Sequence, residues 1–351
     1  PRSGGARLAL LAAVVAPLLL LSACTPGRAL TSSPGWVGTG AAEGLVVAGS
    51  LNGVVVGLDP ATGQERWRFP RQGNGGVTGV YGQPLVVEGW VYVGAYNGKV
   101  YALDAQGNER WTFPLGGQSV GPIVGGPVLA GDLLLVASSD GHVYALEAAT
   151  GTRVWDFATG GKVWAAPAVE GERVYVASMD HEVYALSLRD GSRLWSYTTG
   201  AAVAGQPLVV DGLVVVGSFD RTLYALDAAT GEVRWRFPAG DWFWAGPISD
   251  GARIYAASLD GRVYALDTDG AQQWVFAAEA PVIATPALVP EGLVVAADSG
   301  RLSLLDPATG REQWFYELSA QVRAPLAPVG SVVYLGAMDG RVRAVNVAQG
   351  R

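Results

Sequence analysis

Cysteine occurs once in this 351-residue chain, at Cys24, and histidine twice, at His142 and His181. A single thiol excludes a disulfide framework and a thiolate metal cluster, and two histidines leave little material for a histidine metal site. Charge is scarce as well: 16% of residues are charged, and 31 acidic against 24 basic side chains give a net −7. No Lys/Arg run exists, and lysine itself is confined to Lys99 and Lys162. A protein that neutralises phosphates needs a basic face, so nucleic-acid binding is excluded. What is present in surplus is glycine (49), tryptophan (12) and tyrosine (13). Half of the residues are hydrophobic, which rules out disorder and allows a large core. Length alone suggests two or three domains, but this composition is unlike that of ordinary enzyme domains.

The first residues read as an address. Leu8 to Leu21 is apolar apart from Pro17, and Arg2 and Arg7 precede it. That run has the length of a signal h-region and falls short of the roughly 20 residues that a spanning helix needs. It ends Leu21-Ser22-Ala23-Cys24, which resembles the lipobox of bacterial lipoproteins, where the Cys carries the lipid and cleavage falls just before it. The resemblance implies a signal peptide over 1–23, a lipidated Cys24, and a flexible tether over 24–35 rich in Pro, Gly and Ser. Removing Arg2 and Arg7 would leave 22 basic against 31 acidic residues, a net −9.

The remainder is one unit written eight times. Tryptophans at Trp67, Trp111, Trp155, Trp195, Trp235, Trp274 and Trp314 are spaced by 39 to 44 residues. A second series, Asn52-Gly53, Asn97-Gly98, Asp140-Gly141, Asp180-His181, Asp220-Arg221, Asp260-Gly261, Ser299-Gly300 and Asp339-Gly340, predicts eight two-residue hairpins of type I′, with positive φ at both central positions. Prolines at Pro84, Pro127, Pro167, Pro207, Pro247, Pro286 and Pro325 lead each unit after the first. Each unit reads as four short strands, for example 166–169, 173–178, 182–186 and 193–197. A sheet this small cannot bury both faces alone, so copies must stack, and a period near 40 with four strands per copy predicts blades around an axis. The expected fold is all-β, an eight-bladed β-propeller of four-stranded antiparallel blades over 36–351. The eighth copy stops at Arg351 before a fourth strand, and two readings stay open: residues Arg28 to Ser33 supply it, the preferred expectation, or the chain is truncated at its C-terminus.

Each copy carries a turn such as Ala225-Leu226-Asp227-Ala228-Ala229-Thr230-Gly231-Glu232-Val233-Arg234-Trp235. Its Gly permits the tight turn between the third and fourth strands, and Asp227 and Thr230 are expected to hold that turn by local hydrogen bonds. The indole is expected to reach the neighbouring blade, which makes the seven spaced tryptophans structural docking residues. This Ala-x-Asp-x-x-Thr-Gly-x-x-x-Trp run resembles the tryptophan-docking motif of pyrroloquinoline-quinone (PQQ)-type propellers. Departures are small: Ser187 or Glu147 replaces the Asp in two copies, and the turns before Trp111 and Trp274 are one residue shorter. Two groups share that propeller, the quinoprotein alcohol dehydrogenases and the BamB-type outer-membrane assembly lipoproteins.

The dehydrogenases are much longer, and the resemblance to them would imply a vicinal Cys pair beneath the quinone and ligands for calcium. This chain has neither the Cys pair nor an insertion in its 40-residue period for substrate loops, and no Cys-x-x-Cys-His haem run. His142 and His181 fall at or just after hairpin turns, where solvated side chains account for them. No catalytic residue, metal or cofactor is therefore expected.

Five tryptophans remain: Trp36, Trp90, Trp164, Trp242 and Trp244. Trp164 and Trp244 lie three residues before a leading proline, Tyr81 holds that place in the second copy and Trp36 about that place in the first. Such residues precede the innermost strand and should approach one mouth of the channel. Together with Phe243 and Arg323 they form the candidate partner-binding set, a mixture of Trp, Tyr and Arg that fits the composition of interface hot spots. The BamB resemblance implies a lipid-anchored, exported scaffold or assembly factor, monomeric within a complex, that serves β-barrel assembly on the periplasmic side of an outer membrane. In a cell with one membrane it would be a surface-anchored interaction module. A PQQ-dependent dehydrogenase and a surface ligand or sugar-binding sensor are the alternatives.

Overall fold

The computed structural model describes residues 38–42, 44–71, 77–116 and 118–350. The signal segment, Cys24, the tether, the 28–33 segment and Trp36 lie outside these residues.

The described chain folds into eight antiparallel sheets in sequence order, seven of four strands and a last one of three. Alternation explains the strands. In blade 4, Arg173–Ala177 and Glu182–Ser187 bury almost every residue because both faces of a central blade strand meet a neighbouring blade. The outer strand Arg193–Thr198 has one face covered and reads alternately. The inner strand, Ala168–Glu170, is short because strands near the axis have little room.

Adjacent blades share their cores. Tyr175, Val183 and Ala185 of blade 4 pack with Val214, Val216 and Leu226 of blade 5. The ring closes in the same way, since Val46, Ala48, Val56 and Leu58 of blade 1 cluster with Ala327 and Tyr334 of blade 8. Blade 8 consists of Ala327–Val329, Val332–Gly336 and Val342–Asn346 among the described residues.

The hairpins between second and third strands differ from the expected type I′. In blade 3, Gly141 N–H donates to Ser138 O, Ser138 N–H donates to His142 O, and φ is positive only at Gly141. This is a three-residue loop, a type I turn followed by one left-handed residue. The same loop forms where Ala95, Ala297 or Ala337 stands before the turn, so the strand register sets it, and a serine at that place adds one more bond. Ser138, Ser178, Ser218 and Ser258 are all buried, and each hydroxyl accepts the N–H of the Asp two residues on. Only one left-handed position is needed, so His181 (φ 75°) and Arg221 (φ 72°) can stand where other copies use Gly.

The series of leading prolines also slips once. Pro286 directly precedes the strand Ala287–Val289, but in blade 8 Leu326 precedes Ala327–Val329, and Pro325 falls one residue early.

The Asp227 turn before the outer strand of blade 5 forms the local bonds expected of it. Asp227 Oδ1 accepts from the N–H groups of Ala229 and Thr230, both at 2.9 Å, and Gly231 N–H donates to Asp227 O. Beside it, Arg234 holds the Asp227 carboxyl down at about 2.

Candidate functional site: the aromatic mouth of the channel

The segments that cross from one blade to the next bind two hairpins at once. Thr199 N–H donates to His181 O of blade 4, while Gly200 N–H donates to Asp220 Oδ2 of blade 5 at 2.8 Å. Asp220 also accepts from Tyr224 Oη at 2.6 Å. The same carboxylate clamp recurs at Asp180 and Asp260, and at Asp140 with Gly121 as the donor. Burial raises the pKa of Asp140, but the N–H groups of Gly121 and His142 and the hydroxyl of Tyr144 outweigh it, so the carboxyl lies below its usual range. These clamps fix the rim on which the aromatic residues stand.

Each crossing segment then places one side chain into the channel three residues before the leading position. Tyr81, Val124, Trp164, Ala204, Trp244, Ile283 and Arg323 occupy this register in blades 2 to 8, and all seven line a central cavity of about 380 Å³. Large side chains fall in even blades and small aliphatic ones in odd blades. The same two-blade period appears in the core, where Tyr92, Tyr175, Tyr255 and Tyr334 alternate with Val47, Leu135, Val215 and Val294.

The rings form a row across blades 4 to 6. Trp242 stacks on Phe219 at 4.8 Å, Phe219 stacks on Trp244 at 5.5 Å, and Trp244 meets Trp164 at 6.3 Å. Lys162 Nζ lies 5.9 Å from the Trp164 ring. Trp242 is 44% exposed at the outer end of the row. Across the mouth, Tyr81 contacts Tyr96, which is 49% exposed. Arg323 is held by Asp298 through Nε at 2.7 Å and Nη2 at 3.0 Å, a two-point pair that raises the guanidinium pKa further.

Phe243 does not belong to this surface and leaves the candidate partner-binding set. It is 1% exposed and presses on Gly217, where an added Cβ would lie 2.3 Å from the Phe243 Cβ. Its register is that of Val80, Ile123, Val163, Val203, Val282 and Val322, every one of them buried. The residue before each channel position is thus a core plug, and Phe243 is the blade 6 plug.

Phe219, Tyr96 and Asp298 join the mouth although the sequence pattern did not single them out. All three occupy the first turn position of a hairpin, the position of Met179, Leu259 and Met338 in other blades. Trp90 stands apart, stacked on Tyr92 within blade 2. The histidines occupy different blades, and His142 Nδ1 pairs with Asp156 at 3.0 Å. Among the described residues no group of three His, Cys, Asp or Glu side chains is placed to hold a metal ion.

At the periphery each spaced tryptophan meets the next blade. The indole N–H groups of Trp111, Trp155, Trp195, Trp235, Trp274 and Trp314 donate to backbone carbonyls of Ala148, Leu188, Ala228, Thr268, Pro307 and Val347 at 2.8–3.2 Å. Trp67 packs on Gly107 in the same way, but its buried N–H has no partner among the described residues.

Comparison with known proteins places this geometry among relatives. A family model described as outer membrane protein assembly factor BamB matches residues 25–114, 97–207 and 199–351. BamB of Nitrosomonas eutropha is 31% identical over 117 residues, covering 33% of this chain. The aligned part is 26% of that protein and 28% of the BamB from Burkholderia pseudomallei, so the match spans about a quarter of these curated relatives. The crystal structure of BamB from Moraxella catarrhalis superposes with a TM-score of 0.75 at 20% identity, covering 87% of this chain and 95% of that one. A quinohemoprotein alcohol dehydrogenase from Pseudomonas putida superposes at 0.73 with 15% identity, covering 88% of this chain and 71% of the enzyme. At these identities the two structures share the fold alone.

Proposed function

The chain belongs to the family described as outer membrane protein assembly factor BamB, and from that premise we propose that it is a protein-interaction scaffold or assembly factor and not an enzyme. In this reading Cys24 carries a lipid, and the ring is held outside the cytoplasm at a membrane. In a cell with an outer membrane the work is assembly of β-barrel proteins on its periplasmic side, with the ring a single copy within a larger complex.

The observation that carries the reading is the row Trp242–Phe219–Trp244–Trp164, an aromatic surface on a rim held by the carboxylate clamps. Large rings at a fixed site lose little entropy on binding, which is why Trp and Tyr dominate interface energetics. Tyr81 and Arg323 share the register of Trp164 and Trp244 in the same mouth and complete the partner-binding set.

The chemistry of the cavity supports the non-enzymatic reading. The cofactor of quinone-dependent propellers is a planar tricarboxylate, whereas Arg323 is the one charged side chain among the lining residues. Two of its nitrogens already serve Asp298. The residues present do not fit such a cofactor.

The test is co-purification from intact membranes after crosslinking, comparing the native chain with a Trp164→Ala/Trp242→Ala/Trp244→Ala variant. A barrel-assembly subunit recovered with the native chain and lost with the variant supports the proposal. Equal recovery of every partner by both would refute the role of the aromatic row.

A further inference from the structure

The cavity behind the aromatic rim has features that protein contact does not require. Trp164, Trp244 and Tyr81 project from alternate blades, with the small side chains of Val124 and Ala204 between them in register; Trp164 and Trp244 meet at 6.3 Å, and all three rings line the cavity. The indole N–H groups of Trp164 and Trp244 form no hydrogen bond among the described residues, unlike those of the six bonded docking tryptophans. Gln83 and Gln206 line the cavity, and Gln206 donates its Nε2 to Pro167 O with no bond to its Oε1 among the described residues. Arg323 binds Asp298 through Nε and Nη2, which leaves Nη1.

We propose that this cavity is a saccharide site that takes one or two rings of an uncharged glycan. The axial C–H edges of a pyranose carry partial positive charge and lie well on the negative faces of indole and phenol rings. Its hydroxyls both donate and accept, and they meet donors (two indole N–H groups, Arg323 Nη1) together with amides that do either. The lining presents no uncompensated charge, which disfavours anionic and cationic ligands, whose desolvation would go unmatched. A volume of about 380 Å³ lies near the small end of ligand pockets and suits a mono- or disaccharide unit.

The inference goes beyond the scaffold reading and shares Trp164 and Trp244 with it; the two are told apart by Trp242→Ala, which alters the exposed end of the partner surface outside the cavity, and by Gln206→Leu, which alters the cavity alone. The probes are maltohexaose, cellohexaose and chitohexaose, titrated into the full chain by calorimetry and tryptophan fluorescence. Pull-down on insoluble amylose, cellulose and chitin distinguishes a free oligosaccharide from a polymer as the source. At least one glycan should bind and alter the emission. Trp164→Ala, Trp244→Ala and Gln206→Leu should each weaken binding at least about tenfold, with Trp242→Ala leaving it within about twofold. Gln206→Leu guards against loss of fold, because it removes polar atoms and little volume. The proposal is overturned if no probe binds at about 10 mM, or if binding is the same in Trp164→Ala, Trp244→Ala and Gln206→Leu.

Discussion

Trp195 lies flat against Gly231 of the next blade: a Cβ added to that glycine would sit 2.7 Å from Trp195 Cδ2, while the indole N–H donates to Ala228 O at 3.1 Å. One side chain thus links the outer strand of blade 4 to the last turn of blade 5. Burying a large aromatic and completing one hydrogen bond accounts for its energetic weight. Trp195→Ala is expected to destabilise the ring by about 3–5 kcal/mol and Trp195→Phe by less. Denaturant unfolding measures both, and a loss below about 1 kcal/mol for the Ala variant would remove the docking role.

Gly231 also has φ +77°, so Gly231→Ala meets backbone strain and the indole together. The two costs can be separated. In a Trp195→Ala background the steric part vanishes and only the left-handed strain, about 1–2 kcal/mol, persists. A double-mutant cycle should therefore show coupling of at least about 1 kcal/mol. Additive losses would mean that the contact carries no energy.

Trp67 provides an internal control, because its buried N–H has no acceptor among the described residues. Trp67→Phe discards an unsatisfied donor, whereas Trp111→Phe breaks a bond to Ala148 O at 3.0 Å. The first substitution should cost about 1 kcal/mol less than the second. Equal losses in parallel denaturant titrations would contradict the assignment of hydrogen-bond energy to these indoles.

The carboxylate clamps make a prediction about alkali. Burial first, and the bonds to Asp140, Asp180, Asp220 and Asp260 second, hold Tyr144, Tyr184, Tyr224 and Tyr264 above the ordinary phenol pKa. A raised folded pKa means stabilisation that is complete below the unfolded value near 10 and lost as pH rises through the folded values. Unfolding midpoints should hold steady to about pH 9.5 and then fall, with tyrosinate absorbance appearing together with unfolding. Titration of these tyrosines near pH 10 in the intact ring would contradict the clamp. The acid side has the opposite sign. Asp227 is depressed to about 2 chiefly by Arg234, so its contribution is present above about pH 4 and fades toward pH 2.

Periodic features were legible in the sequence. Blade number, the four strands of blade 4 and the Asp227 turn could be read because each recurs at a fixed register and local chemistry decides it. The hairpins were misread where two neighbours compete. Asp140-Gly141 alone favours a two-residue turn, but Ser138 pairs with His142 across a three-residue loop, and the buried Ser138 hydroxyl accepts the Asp140 N–H. Asp241-Trp242-Phe243-Trp244 read as one patch, yet successive residues of a crossing segment face opposite ways, and Phe243 fills the core. Phe219 and Asp298 were illegible as site residues because their partners come from other segments, Asp298 meeting Arg323 across 25 residues of chain. Aligning the eight hairpins on the small residue before the turn, Ser in five and Ala in three, puts both at the same position.

The scaffold reading is tested most directly by a photo-crosslinking amino acid placed at position 242, on the exposed end of the aromatic row, in cells that carry the full chain. The same probe at position 154, half exposed on the outer strand of blade 3, is the control. The expected result is a discrete adduct with a barrel-assembly or other membrane-associated protein from position 242 and not from position 154. Adducts that are absent, or identical from both positions, would contradict the assignment of this mouth as the partner surface.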